Sequence, residues 1–214
     1  MRIEAIRSED TTYLDEILLD GDRIKLLPTS SYNSIDPLHL RLWCHRHARY
    51  GIPTIELIEW LKEQIAGRKA IEIGAGNGDL GFHLGIQSTD SYCQVLNQWV
   101  RESYAQMRQP ITQPKPETTI HEALDAIQQF QPQVVIGSWI TQLSLEPIPQ
   151  SSPLGVDEQE LIKHVDAYIH IGNEDSHGQK KILELPHETI QQPWIISRAA
   201  NPSKNVIYVW GRHV

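Results

Sequence analysis

Apolar positions along the chain fall into short clusters whose spacing switches between strand-like runs and helical stripes. After Thr54, Ile58, Leu61 and Ile65 recur at three- and four-residue intervals, which predicts a helix capped by Thr54 and ended by Gly67. The apolar run 69–73 predicts a strand, followed by a short helix from 79 to about 84. A weak second strand fits 86–89 and closes at Asp90. Leu96, Val100, Tyr104 and Met107 share one face of a helix over 94–107, and 109–116 is a proline-broken loop. Residues 118–120 suit a third strand and 122–130 a helix. Val134, Val135 and Ile136 run without alternation, as in a strand buried on both faces, here 134–139. A loop over 144–153, a helix over 157–164, a strand over 167–171 and a polar loop over 172–178 follow. Segments 194–197 and 206–210, separated by a polar turn, suit an antiparallel pair. Ahead of Thr54 the pattern predicts a helix over 12–19, a strand-like arm over 22–27, a loop to Pro37 and a helix over 38–50. Strands alternating with helices imply an α/β chain with a parallel sheet. Residues 54–214 form its body, and 1–53 are expected to be a cap or helical extension on it.

The chemistry concentrates at 70–81. The run through Ala70, Ile71 and Ile73 stops at Gly74, Gly76 and Gly78, which alternate before the helix start at Asp79. Glycine reaches φ > 0 and, having no Cβ, lets a ligand approach the backbone. A strand, a glycine turn and a helix start make a cradle for a nucleotide-type cofactor. Glu72 sits two positions before the first glycine, in a strand that should be apolar. A carboxylate there needs a cationic or hydroxyl-bearing partner.

Glu-x-Gly-x-Gly-x-Gly resembles the first motif of the class I S-adenosylmethionine-dependent methyltransferases. The resemblance covers about 54–214 and implies a Rossmann-like α/β/α sandwich. Its sheet would be mostly parallel and seven-stranded, with an antiparallel C-terminal strand; the late strand pair fits the sixth and seventh. It implies S-adenosyl-L-methionine as cofactor, methyl transfer as activity, and an acceptor of either small-molecule or macromolecular kind. By the same resemblance Glu72 holds the methionine end, and Gly74, Ala75, Gly76, Asn77 and Gly78 pass beneath it. Asp90, ending the second strand, binds the ribose hydroxyls. Glu122 and Ala123, after the third strand, meet the adenine. Ser138 and Trp139, at the end of the fourth, face cofactor or substrate. The segment 137–141 lacks the Asn/Asp-Pro-Pro-Tyr/Phe signature of enzymes that methylate exocyclic amines, and no Pro-Cys pair suits attack on cytosine C5. No catalytic residue is assigned.

Two other readings stay open. Residues 76–81 also fit G-x-G-x-x-G, the fingerprint of an NAD(P)-binding Rossmann oxidoreductase. Against it, Gly74 and Ala75 intervene after the strand, and Glu72 would repel a pyrophosphate. The third reading is a catalytically silent cofactor-binding module.

Asp90 and Glu122 also suit a turn and a first helical turn, and Trp139 suits a core position. The basic stretch 41–51 reads as a solvated helix face, with Tyr50 and Gly51 as candidates for the site mouth. His170, Glu174, Asp175 and His177 follow or end the fifth strand, where ligands bind in open α/β sheets; His177 reads as a surface loop histidine, with a general base as the alternative, and no metal site is expected.

Composition changes this little. At 214 residues and 40% hydrophobic content the chain is long enough for one full α/β core. A net charge of −8 disfavours generic nucleic-acid binding. Cys44 and Cys93 give no disulfide framework, and neither a leader nor a membrane span is evident. The expectation is a cytoplasmic protein with no membrane partner.

Overall fold

The computed structural model describes residues 9–146 and 149–211. Seven strands form the central sheet: β1 (Ala70–Ile73), β2 (Gln87–Asp90), β3 (Thr119–Ile120), β4 (Val134–Ser138), β5 (Ala167–Asn173), β6 (Glu188–Ile190) and β7 (Asn205–Gly211). Their spatial order is β6-β7-β5-β4-β1-β2-β3. Strands β1 to β5 are mutually parallel, and β7 runs antiparallel between β5 and β6. The order turns back at β1, because β2 and β3 lie on one side of it and β4 on the other. Ligands in open α/β sheets bind at the carboxyl ends of strands at such a reversal.

The longer helices are α1 (Tyr13–Leu18), α2 (Pro37–Arg46), α3 (Ile55–Ile65), α4 (Asp79–Leu84), α5 (Gln98–Gln106) and α6 (Ala123–Phe130). As the pattern predicts, Thr54 Oγ1 accepts from Leu57 N at 3.2 Å to start α3. The unbroken apolar run of β4 is buried because the sheet is covered twice. Val134 and Ile136 pack with Leu57, Leu61 and Leu80 of α3 and α4, while Val135 packs with Ala126 and Ile127 of α6. Helix, sheet and helix therefore form three layers. A separate cluster around Leu14, Leu18, Leu40 and Trp43 forms the core of the N-terminal segment.

Several elements differ from expectation. The sixth strand is Glu188–Ile190, and not 194–197. Trp194 instead packs against Trp60 of α3, with ring centroids 5.9 Å apart, and Ile196–Ser197 pairs with Gly51–Ile52. Apolar pattern marks burial and leaves the pairing partner open. The helix over 94–107 breaks at Asn97, whose side chain accepts from Val100 N at 3.2 Å and starts α5 afresh. Its predicted apolar face is largely outward, with Leu96 and Met107 more than half exposed. The 38–50 helix starts at Pro37 and stops at Arg46. The strand-like arm at 22–27 is half of a hairpin, Leu19–Asp20 with Arg23–Ile24. The polar loop 172–178 is the last turn of β5 followed by a helical turn, Glu174–His177, capped by Asn173. Residues 1–8, Pro147 of the expected loop and the last residues of the 54–214 body lie outside the described residues.

Candidate functional site

The turn between β1 and α4 is built as its glycines require. Gly74, Gly76 and Gly78 have φ of +54°, +57° and +71°, a region that side chains with a Cβ enter only at a cost. At Gly74 a Cβ would lie 2.4 Å from Ile140 Cδ1, and at Gly78 2.8 Å from Thr118 Oγ1. The turn is pinned to the end of β2. Ala75 N donates to Thr89 O at 3.0 Å, and Gly76 N donates to Asp90 Oδ2 at 2.9 Å. Asp90 Oδ1 accepts from Tyr92 N at 2.7 Å. Asp90 thus ends β2 directly against the glycine turn, as its spacing from Gly76 suggests. Burial raises its carboxyl pKa, against those two backbone donors.

Glu72 lies between Ser88 of β2 and Ile136 of β4 in the sheet and is 1% exposed. Its Oε2 accepts from Gly81 N and Ser88 Oγ, each at 2.9 Å. Among the described residues Oε1 makes no hydrogen bond and no cation comes within 4 Å. Burial is the main reason its pKa is pushed up to about 8; Asp79 and Asp90 add repulsion.

Three cavities meet at this end of the sheet. The first, about 80 Å³, is lined by Glu72, Gly74, Asn77, Ser138, Tyr50 and Arg49. The second, about 140 Å³, lies over Gly74, Asp90, His121, Glu122, Ala123 and Trp139. The third, about 480 Å³, is bounded by Tyr50, Trp139, Asn173, His177 and Arg198. Gly74 and Thr112 line both the first and second, Trp139 and Thr141 both the second and third, and Tyr50 both the first and third. One crevice thus runs across the strand ends. Every residue singled out from the sequence for cofactor contact lines it except Gly78, which holds the turn from below.

The structure corrects two expectations about the flanking residues. Arg49, in the basic stretch read as solvated, is buried and paired with Asp79 Oδ2 at 3.0 Å, tying the N-terminal segment to α4. Tyr50 and Gly51 do reach the site mouth. His170 is fully buried inside β5, with its ring 4.8 Å from that of His177. His177 Nδ1 accepts from Asn173 N at 3.1 Å, so the proton sits on Nε2. Burial and the nearby Lys180 push its pKa down to about 3. The lone pair a base would use is engaged, and His177 is a neutral donor, not a base.

Sequence reasoning missed Thr112 and Arg198. Thr112 sits over the glycine turn, its Cγ2 3.0 Å from where a Cβ of Gly76 would stand. The guanidinium carbon of Arg198 stands 3.6 Å above the centre of the Tyr50 ring. Nothing local marks either residue, since loop placement brings each to the crevice. Among the described residues no three His, Cys, Asp or Glu side chains converge as a metal cluster.

A mostly parallel seven-stranded sheet closed by an antiparallel C-terminal strand, under a glycine turn of this kind, decides the fold. It is a Rossmann-like three-layer α/β/α fold. No family model matches the chain, and no curated protein does. Among solved structures the chain is similar to WbdD, at 14% identity and a TM-score of 0.44, over 74% of this chain and 41% of that one. It is also similar to the Pyrococcus abyssi tRNA (uracil-54, C5)-methyltransferase in complex with S-adenosyl-L-homocysteine. There the identity is 13% and the TM-score 0.37, over 72% of this chain and 36% of that one. A Pyrococcus horikoshii protein described as an RNA methyltransferase matches at 13% identity and a TM-score of 0.34, over 96% of this chain and 99% of that one. The chain thus spans about two fifths or less of the first two. The fold assignment rests on the sheet topology and not on these likenesses.

Proposed function

We propose that this chain is an S-adenosyl-L-methionine-dependent methyltransferase. The observation that carries the reading is Glu72: a buried carboxylate with one oxygen unbonded, facing a cavity whose floor is a turn of three glycines with positive φ. The residues fit the cofactor by chemistry. The Glu72 carboxylate offers an acceptor to the ammonium of the methionine end, and that cation would lower the carboxyl pKa toward its ordinary range. The Asp90 oxygens retain lone pairs for the ribose hydroxyls beyond the two backbone donors. Glu122 and Ala123 wall the adenine side, and Trp139 stands between the second cavity and the third. An NAD(P) reading is disfavoured because Glu72 would face a pyrophosphate.

When bound, the cofactor supplies an electrophilic methyl on a sulfonium. The protein's part is alignment and exclusion of water. Tyr50 and Trp139, with ring centroids 5.8 Å apart, provide aromatic walls for this. Residues 1–53 act as a cap that carries Arg49 and Tyr50 to the crevice. No described helix is long and apolar enough to cross a membrane; we read the protein as cytoplasmic, acting without a membrane partner.

Calorimetric titration with S-adenosylmethionine, S-adenosylhomocysteine and NADH tests this. Micromolar binding of the first two and none of NADH is the expected result. Binding of NADH alone refutes it. Cofactor binding without turnover of any acceptor would move the protein to the silent-module class.

A further inference from the structure

The geometry points to the third cavity as the acceptor site, and to Arg198 as the anchor for a carboxylate on a small-molecule acceptor. This deepens the methyltransferase reading and rests on it. The cavity's volume, about 480 Å³, suits a small molecule. It shares Tyr50 with the first cavity, where Glu72 would hold the methionine end, and Trp139 with the second, so a ligand there lies beside the cofactor crevice.

Its polar lining is rich in donors that lack acceptors. Arg198 Nη1 is buried without a hydrogen-bond partner, and among the described residues no carboxylate lies within 4 Å of the guanidinium. The guanidinium is held over the Tyr50 ring, and Arg198 N donates to Tyr50 O at 3.0 Å, so the side chain is preorganised. Trp139 Nε1 is also buried and unpartnered, but it lies on the side of Gly51 and Ser138, toward the first cavity. Trp139 also adopts φ +61°, a conformation uncommon for a bulky residue and one that concentrates at ligand sites. The His177 ring lies 5.1 Å from that of Trp139, and its Nε2 carries the proton. The acidic residue of the lining, Asp175, is already paired with Lys204. Two donors, Arg198 and His177, one of them a cation, beside a neutralised carboxylate select an oxyanion. The Tyr50 and Trp139 rings favour a flat body behind it.

Benzoate and its neutral isostere benzamide test this by calorimetry on protein saturated with S-adenosylhomocysteine. Benzoate is expected to bind, and benzamide at least about tenfold more weakly. Arg198→Gln should bring benzoate to the level of benzamide, and Arg198→Lys, which keeps the charge, should retain most of the binding. No saturable benzoate binding, equal affinity for the two probes, or unchanged benzoate affinity in Arg198→Gln overturns the proposal. The S-adenosylhomocysteine titration of each variant is read separately. Its affinity should stay unchanged in Arg198→Gln, so a failure of the cofactor reading shows there and not in the benzoate arm.

Discussion

Replacing Glu72 by glutamine should make the protein more stable at alkaline pH while weakening its hold on the cofactor. In the unfolded chain the carboxyl titrates near 4.5, and in the folded chain at about 8. Below pH 4.5 it is protonated in both states. Between pH 4.5 and 8 the unfolded chain has released the proton and the folded chain has not, so stability falls as pH rises. Above pH 8 both are ionised and the loss is complete. A gap of about 3.5 pH units corresponds to roughly 5 kcal/mol as an upper figure. The shift has a visible cause, because two hydrogen bonds to Oε2 offset only part of the desolvation and no cation compensates the rest.

Glutamine can keep both acceptor contacts through its carbonyl oxygen and carries no charge to desolvate. Thermal melts of wild type and Glu72→Gln at about pH 5, 6.5 and 8 isolate the residue, because all other titrating groups are shared. The difference in Tm should grow in favour of the variant by roughly 10 °C between the extremes, at ~2–4 °C per kcal/mol for a chain of this size. Adding S-adenosylmethionine should flatten the wild-type slope, since its ammonium supplies the missing partner, and should leave the variant's profile nearly as it was. Parallel profiles for the two proteins would refute the assignment of Glu72 as an unpaired buried carboxyl.

Gly76→Val places a branched side chain at φ +57° and within about 3 Å of Thr112, so it should cost about 1–3 kcal/mol in urea melts and abolish S-adenosylhomocysteine binding. Asp90→Ala frees Gly76 N and Tyr92 N and should weaken cofactor affinity by about tenfold in calorimetry, through both the lost ribose contact and a loosened turn. Arg49→Met leaves Asp79 buried without its closest cation, and melts should show about 3–5 kcal/mol of destabilisation. Lys180→Met should cost a similar amount by stranding Glu158, and the double variant with Glu158→Gln should recover most of it.

The parts of this molecule legible in its sequence are those fixed by local chemistry. The glycine turn was readable because alternate positions must take positive φ. The α3 cap was readable at Thr54, and β4 by its unbroken apolar run. The identity of β6 was not, because Glu188–Ile190 is short and half-polar, and a lone antiparallel neighbour suffices to hold it. The apolar stretch at Trp194 misled because its burial against Trp60 looks, in one dimension, like burial in a sheet. Arg198 and Thr112 belong to the same category as Trp194: their roles come from chain segments distant in sequence. The third cavity is built almost wholly from such contacts, whereas Glu72 and the glycine turn lie in one continuous stretch, which is why the one was legible in the sequence and the other was not.

Two glutamates buried to nearly the same degree show what separates a structural charge from one that awaits a ligand. Glu158 is 3% exposed, and its two oxygens accept from Lys180 Nζ at 2.6 and 2.7 Å, with Tyr168 OH donating at 2.7 Å. Every demand of that carboxylate is met inside the fold, so its removal should be felt as stability and not as binding. Glu72 is 1% exposed and has two neutral donors on one oxygen, none on the other, and no cation. Of the three buried acidic residues among those described, Asp79 has Arg49 and Glu158 has Lys180, which leaves Glu72 as the exception. A fold that pairs its other buried acids gains nothing in stability from leaving this one unpaired. A buried carboxyl without a cation at the reversal of strand order, over a glycine turn, is accounted for if its partner arrives with the cofactor.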